Sequence, residues 1–259
     1  MVTENWKTTD INVDSLWIIS ERDKSGKHTN VYHGNFIPQI PYQLLKRYTK
    51  PNDVVVDLFM GSGTTLYECE NLDRKFIGFD INKQIIDFVL SKMVDSTIPY
   101  SICNCDVTNS SLFKKKIEHS FNALQVDSKI DFFIAHPPYL DIVKFTNKPE
   151  DLSQISDVNL FLEKLTNAIS NGYSYLKKNG YFALVIGDVY KKSEVIPLAF
   201  YAMYAIKKKF NVKLKGTIIK NIEGNRGKLG SQNIWKYRAL KSDYYLFKHE
   251  YIFVFKKID

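Results

Sequence analysis

From residue 53 almost to the end of the chain, short apolar runs alternate with stretches whose apolar positions repeat every third or fourth residue. The runs, bounded by turn-forming residues, read as buried strands, and the periodic stretches read as helices. The pattern predicts strands at 53–58, 75–79, 100–103, 130–135, 180–187, 212–220 and 250–255. It predicts helices at 64–71, 82–93, 110–119, 157–176 and 193–210. Seven strands alternating with helices imply an α/β fold with a mostly parallel sheet covered on both faces. No helix separates the last two strands, so the final strand is expected to run antiparallel. Upstream, Pro38, Pro41 and Pro51 punctuate the chain and leave a short helix at 42–48. Residues 1–30 are polar except for Leu16-Trp17-Ile18-Ile19, and read as an arm or short strand laid on a single domain at 31–259.

Two gaps interrupt the alternation. Residues 140–156 are polar and contain Pro149, as expected of a mobile lid over a site. Residues 221–247 contain Gly224, Gly227 and Gly230, so their first half should be a flexible loop.

Composition narrows the class. With 259 residues, 44% of them hydrophobic, the chain can bury one sizeable core. No apolar stretch is long enough to span a bilayer, and the N-terminus lacks a signal-peptide pattern. A cytoplasmic protein is expected. Cys69, Cys103 and Cys105 lack zinc-ligand spacing, so they read as packing residues and no metal site is predicted. The net charge is +8, much of it in lysine clusters at 114–116, 177–178, 191–192 and 207–209. Each cluster alone reads as a solvated helix face, and together they allow a polyanionic partner. Residues 220–248 differ, because Arg226, Lys228 and Arg238 are interleaved there with Trp235 and several tyrosines. Such a mixture suits phosphate contact with base stacking. Lys144, in the gap at 140–156, is a further candidate for nucleic-acid contact.

Chemistry gathers at two strand ends. Asp57-Leu58-Phe59-Met60-Gly61-Ser62-Gly63-Thr64-Thr65 follows a strand and opens a helix. Gly61 and Gly63 let the backbone approach a ligand, and Thr64 or Thr65 can cap the helix. Leu66 stands where a dinucleotide fingerprint needs its third glycine, and no Gly-Lys-Ser/Thr of a phosphate loop follows. Asp80, at the end of the second strand, can accept both hydroxyls of a ribose or cap a helix. Asp106 can receive an adenine amino group or cap a helix. Asp57 can hold the glycine loop or face a ligand's amino group, and Phe59 can pack beside a ligand or in the core. At the second strand end, His136-Pro137-Pro138-Tyr139 forms a rigid ledge. Its prolines supply no donors, so local carbonyls stay free to accept, beside a flat aromatic face.

In combination, order and spacing these motifs resemble the DNA amino-methyltransferases, which methylate adenine at N6 or cytosine at N4 with S-adenosylmethionine. Phe76-Ile77-Gly78-Phe79-Asp80 adds to the match, and the likeness runs from residue 30 to about 255. His33-Gly34-Asn35-Phe36-Ile37-Pro38 resembles the family segment that closes over the methionine end of the cofactor, which implies roles for His33, Asn35 and Phe36. The resemblance implies a single Rossmann-like methyltransferase domain with its first and fourth strands adjacent. It also implies a double-stranded DNA substrate whose target base is flipped out onto Tyr139. Pro137 O and the His136 ring would then hold the amine hydrogens. If His136 must be neutral, activity should fall below roughly pH 6.5. His136 departs from the family, which usually has Asp, Asn or Ser at that position. No large recognition insertion is present, so specificity must come from 140–156, 221–247, a second copy or a specificity subunit. An RNA base methyltransferase and a non-catalytic cofactor-binding subunit are the alternative readings.

Overall fold

The computed structural model describes residues 6–29, 34–222 and 232–259. The chain order is β1 (Leu16–Trp17), α1 (Gln39–Tyr48), β2 (Val54–Asp57), α2 (Thr64–Asn71), β3 (Lys75–Asp80), α3 (Lys83–Lys92) and β4 (Tyr100–Asn104). There follow α4 (Ser110–Leu124), β5 (Ile130–Ala135), a 3-10 turn at Leu152–Gln154, α5 (Val158–Tyr175) and β6 (Leu176–Ile186). The last part comprises β7 (Val189–Lys191), β8 (Glu194–Ile196), α6 (Leu198–Lys209), β9 (Val212–Asn221), α7 (Gln232–Lys241) and β10 (His249–Lys257).

The main sheet has eight strands in the order β4-β3-β2-β5-β6-β10-β9-β1. All seven expected strands are in it. The eighth is β1, which pairs with β9 through Leu16↔Ile219 and Trp17↔Lys220 and buries Trp17. The polar arm therefore adds an edge to the sheet. β2 and β5 are adjacent and parallel at the centre, and β10 runs antiparallel to both β6 and β9. This is a Rossmann-like α/β fold.

Alternation along the strands builds a core on each face. Val54, Val56, Phe133, Phe182 and Phe253 point one way, against α4, α5 and α6. Val55, Phe132, Ile134, Ala183 and Ile252 point the other way, with residues of α1, α2 and α3. Phe133 and Phe182 stack with centroids 4.5 Å apart at 7°. Each such fully buried side chain contributes about 1.5–3 kcal/mol.

Four expectations need correction. Helix α4 runs on to Leu124, because Phe121 and Leu124 continue the buried stripe of Phe113 and Ile117. Strand β6 begins at Leu176, because Asn179 (φ 63) lets the chain bend within the strand and the register with β5 shifts there. The start of the helix expected at 193–210 is instead a hairpin, β7–β8, whose turn residues Lys192 and Ser193 have φ of 52 and 62. Part of the loop expected at 221–247 is helix α7, with Tyr244 stacked on Tyr190 just beyond it (centroids 4.3 Å). The glycines Gly224, Gly227 and Gly230 lie outside the described residues.

Candidate active site

Beyond Asp57 the chain crosses the carboxyl ends of two neighbouring strands. Leu58 N donates to Ile134 O (3.1 Å), and Met60 N donates to Phe79 O (2.8 Å). Gly61 turns at φ 53, and its N–H donates to Asp80 Oδ2 (2.8 Å). Gly63 (φ 84) is itself the N-cap of α2, so neither threonine caps that helix. A Cβ on Gly63 would lie 3.1 Å from Val89 Cγ1, a tight fit added to the strain of a side chain at this positive φ. Thr65 Oγ1 instead donates to Asp57 Oδ2 (2.5 Å), while Phe59 N donates to Asp57 Oδ1 (3.0 Å). Asp57 thus holds the loop from beneath. Burial raises its carboxyl to about 7, against the pull of those two bonds.

A cavity of about 920 Å³ opens where the loop meets the strand ends. Phe59, Gly61, Thr64, Asp80 and Asp106 line it, whereas Asp57 and Gly63 do not. Phe59 also packs on the core, so both readings of it hold. Burial raises Asp80 to about 6, although the N–H groups of Asn82 and Gly61 pull it down. Asp80 is not a cap, because Asn82 caps α3. Asp106 accepts from Thr108 N (2.8 Å) through Oδ1, and Asn109 caps α4. Both acids are therefore left facing the cavity.

The upstream segment closes one side. Asn35 Nδ2 donates to Ser62 Oγ (2.9 Å), tying this segment to the glycine loop. Phe36 lies against His136 with ring centroids 4.9 Å apart. His33 falls outside the described residues. Three buried polar atoms in this region, His28 Nδ1, Thr29 Oγ1 and Tyr67 Oη, have no hydrogen-bond partner among the described residues. Residues 140–156 cover another side, and they are pinned rather than free. Asp151 Oδ2 accepts from Thr146 N (2.9 Å) and Oδ1 from Ser153 N (2.8 Å), and Lys148 Nζ donates to Ile81 O (2.7 Å).

The ledge leaves β5 directly into the same cavity, which His136, Pro137, Pro138 and Tyr139 all line. Among the described residues no donor bonds the carbonyl of Pro137 or Pro138. Gly187 covers one side of the Tyr139 ring, since a Cβ there would lie 3.0 Å from Tyr139 Cε2. Burial lowers His136 to about 4. The ring is therefore neutral well below pH 6.5, which corrects the expected titration.

Sequence reasoning missed what lies behind the ledge. His136 Nε2 is 3.0 Å from Tyr139 Oη, which donates to Glu250 Oε2 (3.1 Å). Lys220 Nζ donates to Glu250 Oε1 (3.2 Å). Lys220 and Glu250 face each other across β9 and β10 and are only 5% and 7% exposed. The available signal was a charge at the end of each apolar strand. Of the nucleic-acid candidates, Lys144 is exposed, and Arg238 lies over the Trp235 ring at 5.2 Å on α7. Helix α7 carries no acidic residue. Arg226 and Lys228 fall outside the described residues. No helix among the described residues is long and apolar enough to cross a membrane.

Comparison with known proteins adds three findings. A family model described as DNA methylase matches residues 2–92, which takes in the arm and the glycine loop but stops before the ledge. Type II methyltransferase M.MjaII of Methanocaldococcus jannaschii is 41% identical over 68 residues, 25% of this chain and 13% of that protein. Type II methyltransferase M1.MboII of Moraxella bovis is 38% identical over 84 residues, 29% of this chain and 31% of that protein. The chain thus spans less than a third of the length of either relative. Among solved structures, TrmN from Thermus thermophilus superposes with a TM-score of 0.54 at 14% identity, covering 87% of this chain and 50% of that one. YjhP from E. coli gives a TM-score of 0.52 at 9% identity, covering 90% and 97%. At these identities the likeness is one of fold.

Proposed function

We propose that the chain is a DNA amino-methyltransferase, a reading supported by its matches to a DNA methylase model and to Type II methyltransferases, and that it transfers a methyl group from S-adenosylmethionine to the exocyclic amine of a flipped-out adenine (N6) or cytosine (N4) in double-stranded DNA. One observation carries the reading: the glycine loop with its two aspartates and the proline ledge share a single cavity. Its volume of about 920 Å³ lies near the top of the roughly 300–1,000 Å³ usual for ligand sites, which suits two ligands meeting end to end.

The residues present fit the cofactor. Asp80 would hold the ribose hydroxyls and Asp106 the adenine amino group, with Phe59 beside them and Thr64 at the loop. The unpartnered atoms of His28, Thr29 and Tyr67, near Asn35 and Phe36, suit a polar zwitterionic end. Bound there, S-adenosylmethionine supplies an electrophilic sulfonium methyl group. The target amine is a poor nucleophile because its lone pair is delocalised into the ring. Pro137 O and the neutral His136 ring would each accept one of its hydrogens and turn the lone pair out of the ring plane. Tyr139 offers the free side of its ring for stacking on the base. Proximity and orientation then account for much of the rate. Lys144 and the Trp235/Arg238 pair would contact the nucleic acid backbone and bases outside the cavity.

The relatives' designation as Type II methyltransferases supports a place in a restriction-modification or phage-defence system, with specificity completed by a second copy or another subunit. Incubation with labelled S-adenosylmethionine and unmethylated bacterial DNA, followed by nucleoside mass spectrometry, tests the reading. N6-methyladenine or N4-methylcytosine is expected. Cofactor binding without any methylated nucleoside from duplex DNA would overturn it.

A further inference from the structure

A histidine at the head of the ledge raises a question that Asp, Asn or Ser does not. A carbonyl or hydroxyl oxygen always offers a lone pair, whereas a neutral imidazole has one accepting and one donating nitrogen, and which is which depends on its partners. Behind His136 the partners form an ordered chain. Lys220 Nζ and Tyr139 Oη both reach Glu250, at 3.2 and 3.1 Å. Beside the Lys220 cation Glu250 is a carboxylate and can only accept. Tyr139 has a single hydroxyl proton, since burial and Glu250 raise its pKa well above the usual value. That proton goes to Glu250. The phenol oxygen, 3.0 Å from His136 Nε2, is then left to accept. The reverse arrangement would point the phenol's lone pairs at the Glu250 carboxylate.

We propose that the buried Lys220–Glu250 pair, acting through the Tyr139 hydroxyl, fixes His136 as its Nε2–H tautomer and so presents Nδ1 as the acceptor for the target amine. This rests on the reading of the ledge as the methyl-acceptor site. Lys220 and Glu250 are positioning residues, and neither needs to touch the base. The Phe36 ring, 4.9 Å from the imidazole, holds its plane. Burial of such a pair is costly and contributes little net stability. A pair that sets a proton's position accounts for its place behind the ledge. The arrangement matches other sites in which a buried acid selects a histidine tautomer.

Two readouts test this on the full chain. Two-bond proton–nitrogen correlation spectra of the ¹⁵N-histidine-labelled protein report each tautomer directly, and His136→Asn identifies the His136 signals. The Nε2–H pattern is expected at neutral pH, and a mixture is expected in Tyr139→Phe, which removes only the hydroxyl. The Nδ1–H pattern in the wild type, or an unchanged pattern in Tyr139→Phe, overturns the inference whatever the activity. The second readout is methyl transfer in a double-mutant cycle. Glu250→Gln should lower kcat by about tenfold or more where His136 is present, but by less than about threefold beside His136→Asn, whose amide oxygen needs no tautomer. The charge-balanced Lys220→Met/Glu250→Gln variant serves if the single change fails to fold. Equal losses in both backgrounds would mean that Glu250 does not act through His136. A wild-type chain with the expected tautomer but no transfer to DNA would overturn the methyltransferase reading and leave the tautomer assignment standing.

Discussion

Replacing Asp57 by Asn separates the charge beneath the glycine loop from the loop's shape. Asp57 is 1% exposed, and burial raises its carboxyl from an ordinary 3.8 to about 7, with Asp80 adding to the rise. A carboxyl raised in this way holds its proton more tightly in the folded chain than in the unfolded one. Its contribution to stability is greatest below about 3.8 and declines as pH climbs towards about 7. At 1.36 kcal/mol per pKa unit the interval amounts to about 4 kcal/mol, a ceiling because the loop relaxes around the charge. The substituted asparagine would keep an oxygen for Phe59 N–H and turn its amide to the Thr65 hydroxyl, which can then accept. Asp57→Asn should therefore match the wild type at pH 4 and exceed its stability by about 2–4 kcal/mol at pH 8. Urea unfolding at both pH values, followed by tryptophan fluorescence, measures the difference. Taking variant minus wild type cancels the titration of other groups. A difference that does not grow between pH 4 and pH 8, or a variant less stable at both, would refute the burial argument. Both Asp57 oxygens face the chain, so S-adenosylmethionine affinity should stay within about threefold. A larger loss would mean that Asp57 contacts the cofactor.

Further expectations concern activity. With saturating ligands and chemistry limiting, methyl transfer should show no titration near 6.5 and should fall only as pH approaches about 4, where His136 gains its proton. A break near 6.5 that vanishes in His136→Asn would contradict this. Cofactor affinity should weaken as pH drops through about 6, where Asp80 loses its charge, and Asp80→Asn should flatten that dependence in calorimetry. Arg238→Ala should weaken DNA binding and reduce the slope of log affinity against log salt by about 1. An unchanged slope would remove α7 from the interface.

The sequence revealed what is local and missed what is assembled. The glycine loop could be read because strand, turn and helix follow one another, and its contact with Asp80 comes from the next strand in the alternation. The ledge could be read because two prolines after an apolar run have few other uses. The β7–β8 hairpin was invisible, since its turn uses Lys192 and Ser193 at positive φ rather than Asn-Gly. Helix α7 has no apolar stripe, because Ile234, Tyr237 and Leu240 are all exposed. Lys220 read as one of many basic residues until sheet register set it against Glu250. No spacing rule connects either of them to His136, which lies on a different part of the chain.

The place of β10, inserted between β6 and β9, sets an order of maturation. The crevice formed by β2, β3, β4 and β5 is encoded before residue 140 and can take shape as soon as those strands meet. The ledge stands there too, but without backing. Glu250 arrives only when β10 threads into the sheet, so the acceptor side is completed by the strand that follows all the others of the main sheet in chain order. A nascent chain can gain its nucleotide crevice early, yet its acceptor ledge is armed only once the whole sheet has closed.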